Sequence, residues 1–313
     1  MDTRRIGSLD VSAVGLGCNN FGWHIEESAS QKVVDAALDA GITHFDTAEV
    51  YGDGASERFL GRALGARRGD VTIATKFGHI PAGAPGGQAT PDAVRQSVEA
   101  SLRRLGTDRI DLYYLHRPDP DTPIADTLGA MSRLVEEGKV REIACSGFSS
   151  DQLREAEGAA TGARFVAVQN EFSLLHREPT ENGVLDTCES LDVAFVPYFP
   201  LKSGLLTGKY RKGDAQSADG RLTATEGKFK GMGDSLLTDE NLDTVERLIA
   251  FAEARDHTVL DLAFSWLLAH EPVASVIAGA TKPEQVRANV AAAGWRLSQD
   301  DLDAVDGILA QSA

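Results

Sequence analysis

From residue 41 to residue 280 the chain alternates short apolar runs with amphipathic stretches, and this rhythm restricts the fold more than any other feature. The runs are GITHFDTA (41–48), VTIATKF (71–77), RIDLYYLH (109–116), VREIACSGF (140–148), RFVAVQN (164–170), VAFVPYF (193–199) and the weaker PVASVIAGA (272–280). They are nearly continuous and rich in β-branched and aromatic residues, as strands buried on both faces should be. Helix signals fall between them. Thr90-Pro91 supplies an N-cap and a first-turn proline before Val94, Val98, Leu102 and Leu105, which recur at helical spacing. Thr122-Pro123 repeats the device before Ile124, Leu128, Met131 and Val135. Residues 28–40, 56–65, 149–160, 239–254, 258–269 and 283–290 also read as helices, and Ser298 with Asp301 as a capping box before a last one.

Strand and helix in strict alternation imply a parallel sheet. With a short first strand near Ala13–Gly17, about eight strand–helix units can be drawn. No Pro/Gly-rich linker splits the chain, so one domain over residues 1–313 is expected. Gly15, Gly17 and Gly22 do not form GxGxxG, and no GxxxxGK[ST] occurs, which disfavours an open dinucleotide-binding sheet. The expected fold is therefore α/β, a (β/α)8 TIM barrel, preceded by a β-hairpin turning at Gly7-Ser8. Residues 211–238 break the rhythm with five glycines and no sustained period. A loop of that length is expected to be a lid.

Composition narrows the function. Lys plus Arg is 31 and Asp plus Glu is 47, a net charge of −16, which argues against nucleic acid as a partner. It leaves room for a local basic pocket. The three cysteines, Cys18, Cys145 and Cys188, include no CxxC, so zinc ribbons, disulfide frameworks and thioredoxin chemistry lose support and no metal site is expected. MDTRRIGSLDVSAVGLG lacks the apolar core of a signal peptide, and no run of apolar residues is long enough to span a membrane. A cytoplasmic protein without a membrane partner is expected. The sequence sets no oligomeric state.

A barrel carries its chemistry at the C-terminal strand ends. There stand Asp46 after ITHF, Lys76 after VTIAT and His116 after DLYYL, with Tyr51 five residues beyond Asp46. Each alone reads as a cap, a solvated stem, a structural histidine or a loop aromatic. Together, on three consecutive strand ends, they read as a proton donor with its tuning set. A tyrosine titrates near 10, and a neighbouring ammonium is expected to lower that value. Asp46 would hold Lys76 charged, and His116 would position a substrate oxygen. Such a set suits protonation of a carbonyl oxygen as hydride arrives at carbon, and the hydride must come from a cofactor.

At this point GLGCNNFGW (15–23), FDTAEVYG (45–52), TKFG (75–78), LYYLHRPDP (112–120), GKVREIACSGFS (138–149), VQNEFSLL (168–175), VPYFPLKSGLLTGKY (196–210) and IAGATKPEQVRAN (277–289) can be taken together. In order and combination they resemble the aldo-keto reductases, NAD(P)(H)-dependent oxidoreductases on a (β/α)8 barrel, over essentially the whole chain. The resemblance implies Tyr51 as general acid, with Asp46, Lys76 and His116 as partners. It implies Ser146 and Gln169 on the nicotinamide carboxamide and Tyr198 stacked on the ring. Leu201, Ser203 and Gly204 would wrap the pyrophosphate, with Lys209 and Arg221 adding charge. Gly279, Thr281, Gln285 and Asn289 would hold the adenosine end, which in the family carries the 2′-phosphate of NADP.

Two departures stand out. Gly147 sits where many members have Asn, the second carboxamide ligand. Gln285 sits where the NADPH-selective members have Arg, which weakens the case for the 2′-phosphate; the resemblance still puts NADP(H) first, with NAD(H) as the alternative. Asn19, Asn20, Trp23, Phe77, His79 and Phe199 are placed to line a pocket for a small-molecule carbonyl substrate. Cys18 and Cys145 read as buried, inert thiols. A competing function is a nicotinamide-binding regulatory subunit resembling potassium-channel β-subunits, which depart from His at position 116. Retention of all four catalytic residue types favours an enzyme that reduces an aldehyde or ketone. A lyase using Lys76 as a Schiff base is a third reading, disfavoured by the adenosine-end motif.

Overall fold

The computed structural model describes residues 1–81, 83–214, 220–224 and 231–310. β1 (Thr3–Ile6) and β2 (Leu9–Ser12) form the expected antiparallel hairpin around Gly7-Ser8. Eight parallel strands follow: β3 (Val14–Gly17), β4 (His44–Asp46), β5 (Thr72–Phe77), β6 (Ile110–Leu115), β7 (Val140–Ser146), β8 (Phe165–Glu171), β9 (Ala194–Tyr198) and β10 (Val276–Gly279). They pair in chain order, with β10 returning beside β3. Between β9 and β10 a parallel bridge joins Phe195 to Val273, and the Ala274 amide donates to the Phe195 carbonyl at 2.9 Å. That contact closes the sheet into the (β/α)8 barrel.

Helices ring it: α1 (Glu27–Asp39), α2 (Ala55–Leu64), α3 (Pro91–Leu105), α4 (Ile124–Glu136), α5 (Ser150–Ala159), α6 (Glu178–Glu181), α7 (Val184–Leu191), α8 (Met232–Leu236), α9 (Asp239–Glu253), α10 (Val259–Leu268), α11 (Pro283–Ala292) and α12 (Gln299–Ala310). Thr90 caps α3 from its side chain, and Ser298 and Asp301 exchange bonds at the start of α12, as their spacing predicts. The start of α4 differs. Its N-cap is Pro123 with no side-chain bond, because the Thr122 hydroxyl donates instead to Asp119 at 2.9 Å. Three helices, α6, α7 and α8, were not announced by the sequence pattern. Among the residues of the long 211–238 segment, 215–219 and 225–230 lie outside the described residues. The rest holds a 3-10 turn at Arg221–Thr223 and α8.

Alternation along each strand divides the core. Outward-facing residues such as Phe77, Tyr113 and Cys145 pack against the helices. Inward-facing Ala74, Leu112, Tyr114, Ala144, Ala167 and Val196 fill the barrel. Ile6, Leu9 and Val11 of the hairpin belong to that inner cluster, so the hairpin stoppers the N-terminal mouth. At the C-terminal end the inward-facing strand positions turn polar, with Asp46, Lys76 and Gln169 in place of apolar residues. Among the described residues no helix is long and apolar enough to cross a membrane.

Candidate active site

Asp46, Lys76 and His116 stand at or just past the ends of β4, β5 and β6, all on the inward side, so strand pairing alone brings them together. Lys76 is fully buried. Its ammonium donates to Asp46 Oδ1 at 2.5 Å and to the Thr47 carbonyl at 2.9 Å. It also lies 5.3 Å from the centre of the Tyr51 ring. Gln169, inward on β8, donates from Nε2 to the other Asp46 oxygen at 2.9 Å. Asp46 is thus held on both sides, and its charge fixes the lysine.

Tyr51 is aimed by a pinned turn. Its amide donates to the Ala48 carbonyl at 3.1 Å and its carbonyl accepts from the Ser56 amide at 3.2 Å. The following Gly52 has φ +57°, and a Cβ there would come within 2.9 Å of the Phe21 carbonyl oxygen. Glycine is what lets the turn close this tightly. The Tyr51 ring lies 5.5 Å from Trp23 and meets His116 edge-on at 6.1 Å. His79 lies 4.9 Å from His116, on the exposed side. Trp23 and Phe199 are exposed large hydrophobics.

Burial dominates the electrostatics. It pushes the Lys76 ammonium down most strongly, yet Asp46 and Tyr51 together hold it above its ordinary value. Burial also raises the Tyr51 phenol above 10, outweighing the downward pull of Lys76. The expectation of a lowered tyrosine therefore has the sign of the Lys76 effect right and the net direction wrong. Burial, then the charges of Lys76, His79 and Arg117, depress His116 well below 6.5, so its imidazole is neutral. Among the described residues its Nδ1 is buried without a hydrogen-bond partner. The arrangement holds a protonated phenol and a neutral imidazole beside a fixed ammonium, and it can bind and protonate an oxygen.

The cofactor candidates spread around the same mouth. Ser146 and Gln169 are buried register partners on β7 and β8. Tyr198 ends β9 with its ring 5.4 Å from Phe199. Phe199, Lys202 and Ser203 all have positive φ, +53°, +44° and +58°, and Gly204 follows at +96°. Left-handed backbone at three non-glycine residues stores strain of roughly 1–3 kcal/mol each, which is typical of a ligand clamp. Lys202 pairs with Glu171, and Lys209 packs against Gly204 and Gly220. Leu201 precedes the turn and accepts the Gly204 amide at 2.8 Å. Arg221 donates to Asn20, whose amide donates to the Ala280 carbonyl at 3.1 Å. Asn20 is consequently buried, its side chain latching the 220–224 segment to the end of β10 rather than lying open to a substrate. At the start of α11, Gln285 Oε1 accepts from the amide of Thr281 at 2.7 Å and from its hydroxyl at 3.1 Å. Gly279 is exposed and Asn289 buried. Phe77 does not line the pocket: one residue past inward-facing Lys76, it points outward and stacks on Tyr113 at 4.8 Å. The Cys18 and Cys145 thiols are fully buried and pushed well above 9 by burial.

Sequence reasoning missed Asn170 and Arg117. Asn170 accepts the Gly147 amide at 2.8 Å and donates to the Phe148 carbonyl at 2.9 Å, fixing the β7 exit. Its position beside Gln169 at a strand end was the available signal. Arg117 follows His116 directly.

The family model for the Aldo/keto reductase family matches residues 13–310. The chain is 37% identical over 326 residues to aldo-keto reductase str7 of Strobilurus tenacellus, covering 100% of this chain and 93% of that protein. It is 34% identical over 295 residues to L-glyceraldehyde 3-phosphate reductase of Escherichia coli, covering 91% and 84%. The structure superposes on that of a glycerol dehydrogenase from Gluconobacter oxydans with a TM-score of 0.85 and 31% identity, covering 100% and 96% of the two chains.

Proposed function

Because the chain belongs to the aldo/keto reductase family, oxidoreductases acting between carbonyl and alcohol, we propose that it reduces an aldehyde or ketone with NADP(H), Tyr51 delivering the proton. The observation that carries this reading is the buried Lys76, bound to Asp46 at 2.5 Å and set against Tyr51 beside a neutral His116. The completeness of this set favours catalysis over a purely cofactor-sensing role.

The residues present fit a nicotinamide dinucleotide. Ser146, Gln169 and Tyr198 would hold its nicotinamide. The strained 201–204 turn with Lys209 and Arg221 would meet its pyrophosphate. Thr281, Gln285 and the N-terminus of α11 would meet its adenosine phosphate, since the positive end of a helix favours an anion. Bound there, the cofactor supplies hydride from nicotinamide C4. The chain's own residues do the rest. Tyr51 and His116 Nε2 donate to the carbonyl oxygen and polarise it. Tyr51 releases its proton as charge grows on that oxygen, and Lys76 stabilises the phenolate left behind. Gln169, tied to Asp46, links the nicotinamide subsite to the lysine that performs this stabilisation.

Titration of tryptophan fluorescence with NADPH and NADH, followed by carbonyl-dependent loss of NADPH absorbance, tests the reading. At least tenfold tighter NADPH binding with aldehyde-dependent turnover is expected. Equal binding of the two would overturn the NADP(H) assignment, and binding of neither would overturn the function.

A further inference from the structure

Four acids described around the barrel mouth are already engaged. Asp46 is bound by Lys76 and Gln169, Glu171 by Lys202, and Glu49 accepts the Gly78 amide at 3.0 Å. Asp119, two residues past Arg117, accepts the amides of Gly87, Ala89 and Asp121 and the Thr122 hydroxyl, and so pins the 86–89 loop. The Arg117 guanidinium is different. It is half-buried, and among the described residues it makes no hydrogen bond or ion pair. Its place is fixed by Gly147. A Cβ at residue 147 would lie 2.7 Å from one terminal nitrogen of Arg117 and 3.4 Å from its Cδ. Gly147 follows Ser146 at the end of β7, and Arg117 follows His116 at the end of the adjacent β6. The missing side chain at 147 is therefore the space in which the guanidinium lies. A half-buried guanidinium with no counter-ion among the described residues keeps all its donors for a ligand, and its planar fork matches a carboxylate or phosphate bidentately.

We propose that Arg117, seated over Gly147 beside His116, is a specificity residue that binds an anionic group on the substrate. The substrate class is thus an aldehyde or ketone bearing a carboxylate or a phosphate. This rests on the reductase reading and narrows it. The contact brings the reacting oxygen to Tyr51 and His116 by anchoring the far end of the molecule. It also explains how a chain of net charge −16 could attract an anionic substrate, through one local cation at the mouth.

Benzaldehyde, 4-carboxybenzaldehyde and 4-formylphenyl phosphate serve as matched probes with NADPH. In Arg117→Leu, kcat/KM for at least one charged aldehyde is expected to fall about 10- to 100-fold more than that for benzaldehyde. A loss confined to the carboxylate or to the phosphate identifies which anion is read. Arg117→Lys, which keeps the charge and loses the fork, should recover part of the selectivity. Gly147→Asn is a second route to the same loss: asparagine tolerates the φ of +72° there, yet its side chain displaces the guanidinium. Equal losses on all three aldehydes, or no change in their ratio, would overturn the proposal. A fall in NADPH affinity shared by all three would assign Arg117 to the cofactor instead. If the native protein reduces none of the probes, the reductase reading fails by itself. Calorimetric binding of benzoate and inorganic phosphate, present in the native protein and lost in Arg117→Leu, then still decides the role of Arg117.

Discussion

Two buried carboxylates sit at opposite ends of this barrel and make different use of the same force. Asp111, near the N-terminal end of β6, lies 2.7 Å from Arg68 and 3.6 Å from both Arg109 and Arg141, and accepts the Ile73 amide at 2.9 Å. Arg109 and Arg141 are about half exposed and keep much of their hydration. Asp46, at the C-terminal end of β4, is paired among the described residues with one cation, Lys76, as buried as itself. At the closed end, one carboxylate is surrounded by three guanidinium groups and a backbone amide. At the open end a single ammonium serves Asp46 and a backbone carbonyl while facing a phenol, and the neighbouring His116 keeps an unpartnered nitrogen. The first arrangement fastens the sheet. The second sets a fixed ammonium against the Tyr51 phenol, beside a neutral imidazole.

Substitution at each end should break the comparison in a different measurable way. Asp46→Asn should lower kcat about a thousandfold in steady-state kinetics, since Lys76 loses its fixed orientation toward Tyr51. Its Tm should fall as well, with a buried ammonium left underpaired. Asp111→Asn should cost about 3 kcal/mol in urea unfolding, because the Arg68 contact and the Ile73 amide lose their anionic partner. Its kcat, measured well below Tm, should stay within about twofold of the native value; a large loss would mean that the two ends are not independent.

Acid sharpens the contrast further. His44, inside the barrel with Nδ1 2.9 Å from the Ser275 hydroxyl, is pushed down to about 4, first by burial. The unfolded chain takes up this proton near 6.5 and the folded chain only near 4. Stability from this group is therefore complete above pH 6.5 and is lost as pH falls from 6.5 toward 4, by roughly 3 kcal/mol. Urea titrations across that window should show the fall, and His44→Gln should flatten it. The smallest effect belongs to the thiols. Burial places Cys18 and Cys145 well above 9 and Cys188 at about 12, so the folded protein should resist alkylation at neutral pH over hours.

Much of this was legible in the chain. The seven apolar runs all contain strands, because strands buried on both faces must be written almost without polar interruption. Asp46, Lys76 and His116 could be placed together for the same reason: in a barrel, strand order alone makes the strand ends neighbours, and Tyr51 reaches them from the loop after β4. What escaped depends on contacts or balances that sequence spacing does not carry. Helix α7 carries Val184, Leu185, Cys188 and Leu191 at helical spacing, but in only eight residues after a Glu-Asn-Gly break. Phe77 was misplaced because one residue along a strand reverses the face. The direction of the Tyr51 shift is a contest between burial and charge, and burial is not written locally. Arg117 and Gly147 are 30 residues apart and meet only through the pairing of β6 with β7.

The central claim is that Tyr51 donates the proton within a set poised by Lys76. Single-turnover reduction of an aldehyde by the NADPH-loaded protein, native against Tyr51→Phe, tests it most directly, with NADPH affinity measured in parallel. Because the phenol lies above 10, the native rate should be flat from pH 6 to 9. Tyr51→Phe should be slower by about a thousandfold or more, with NADPH affinity within threefold of native. A variant that reduces the aldehyde at a near-native rate while binding NADPH normally would contradict the account.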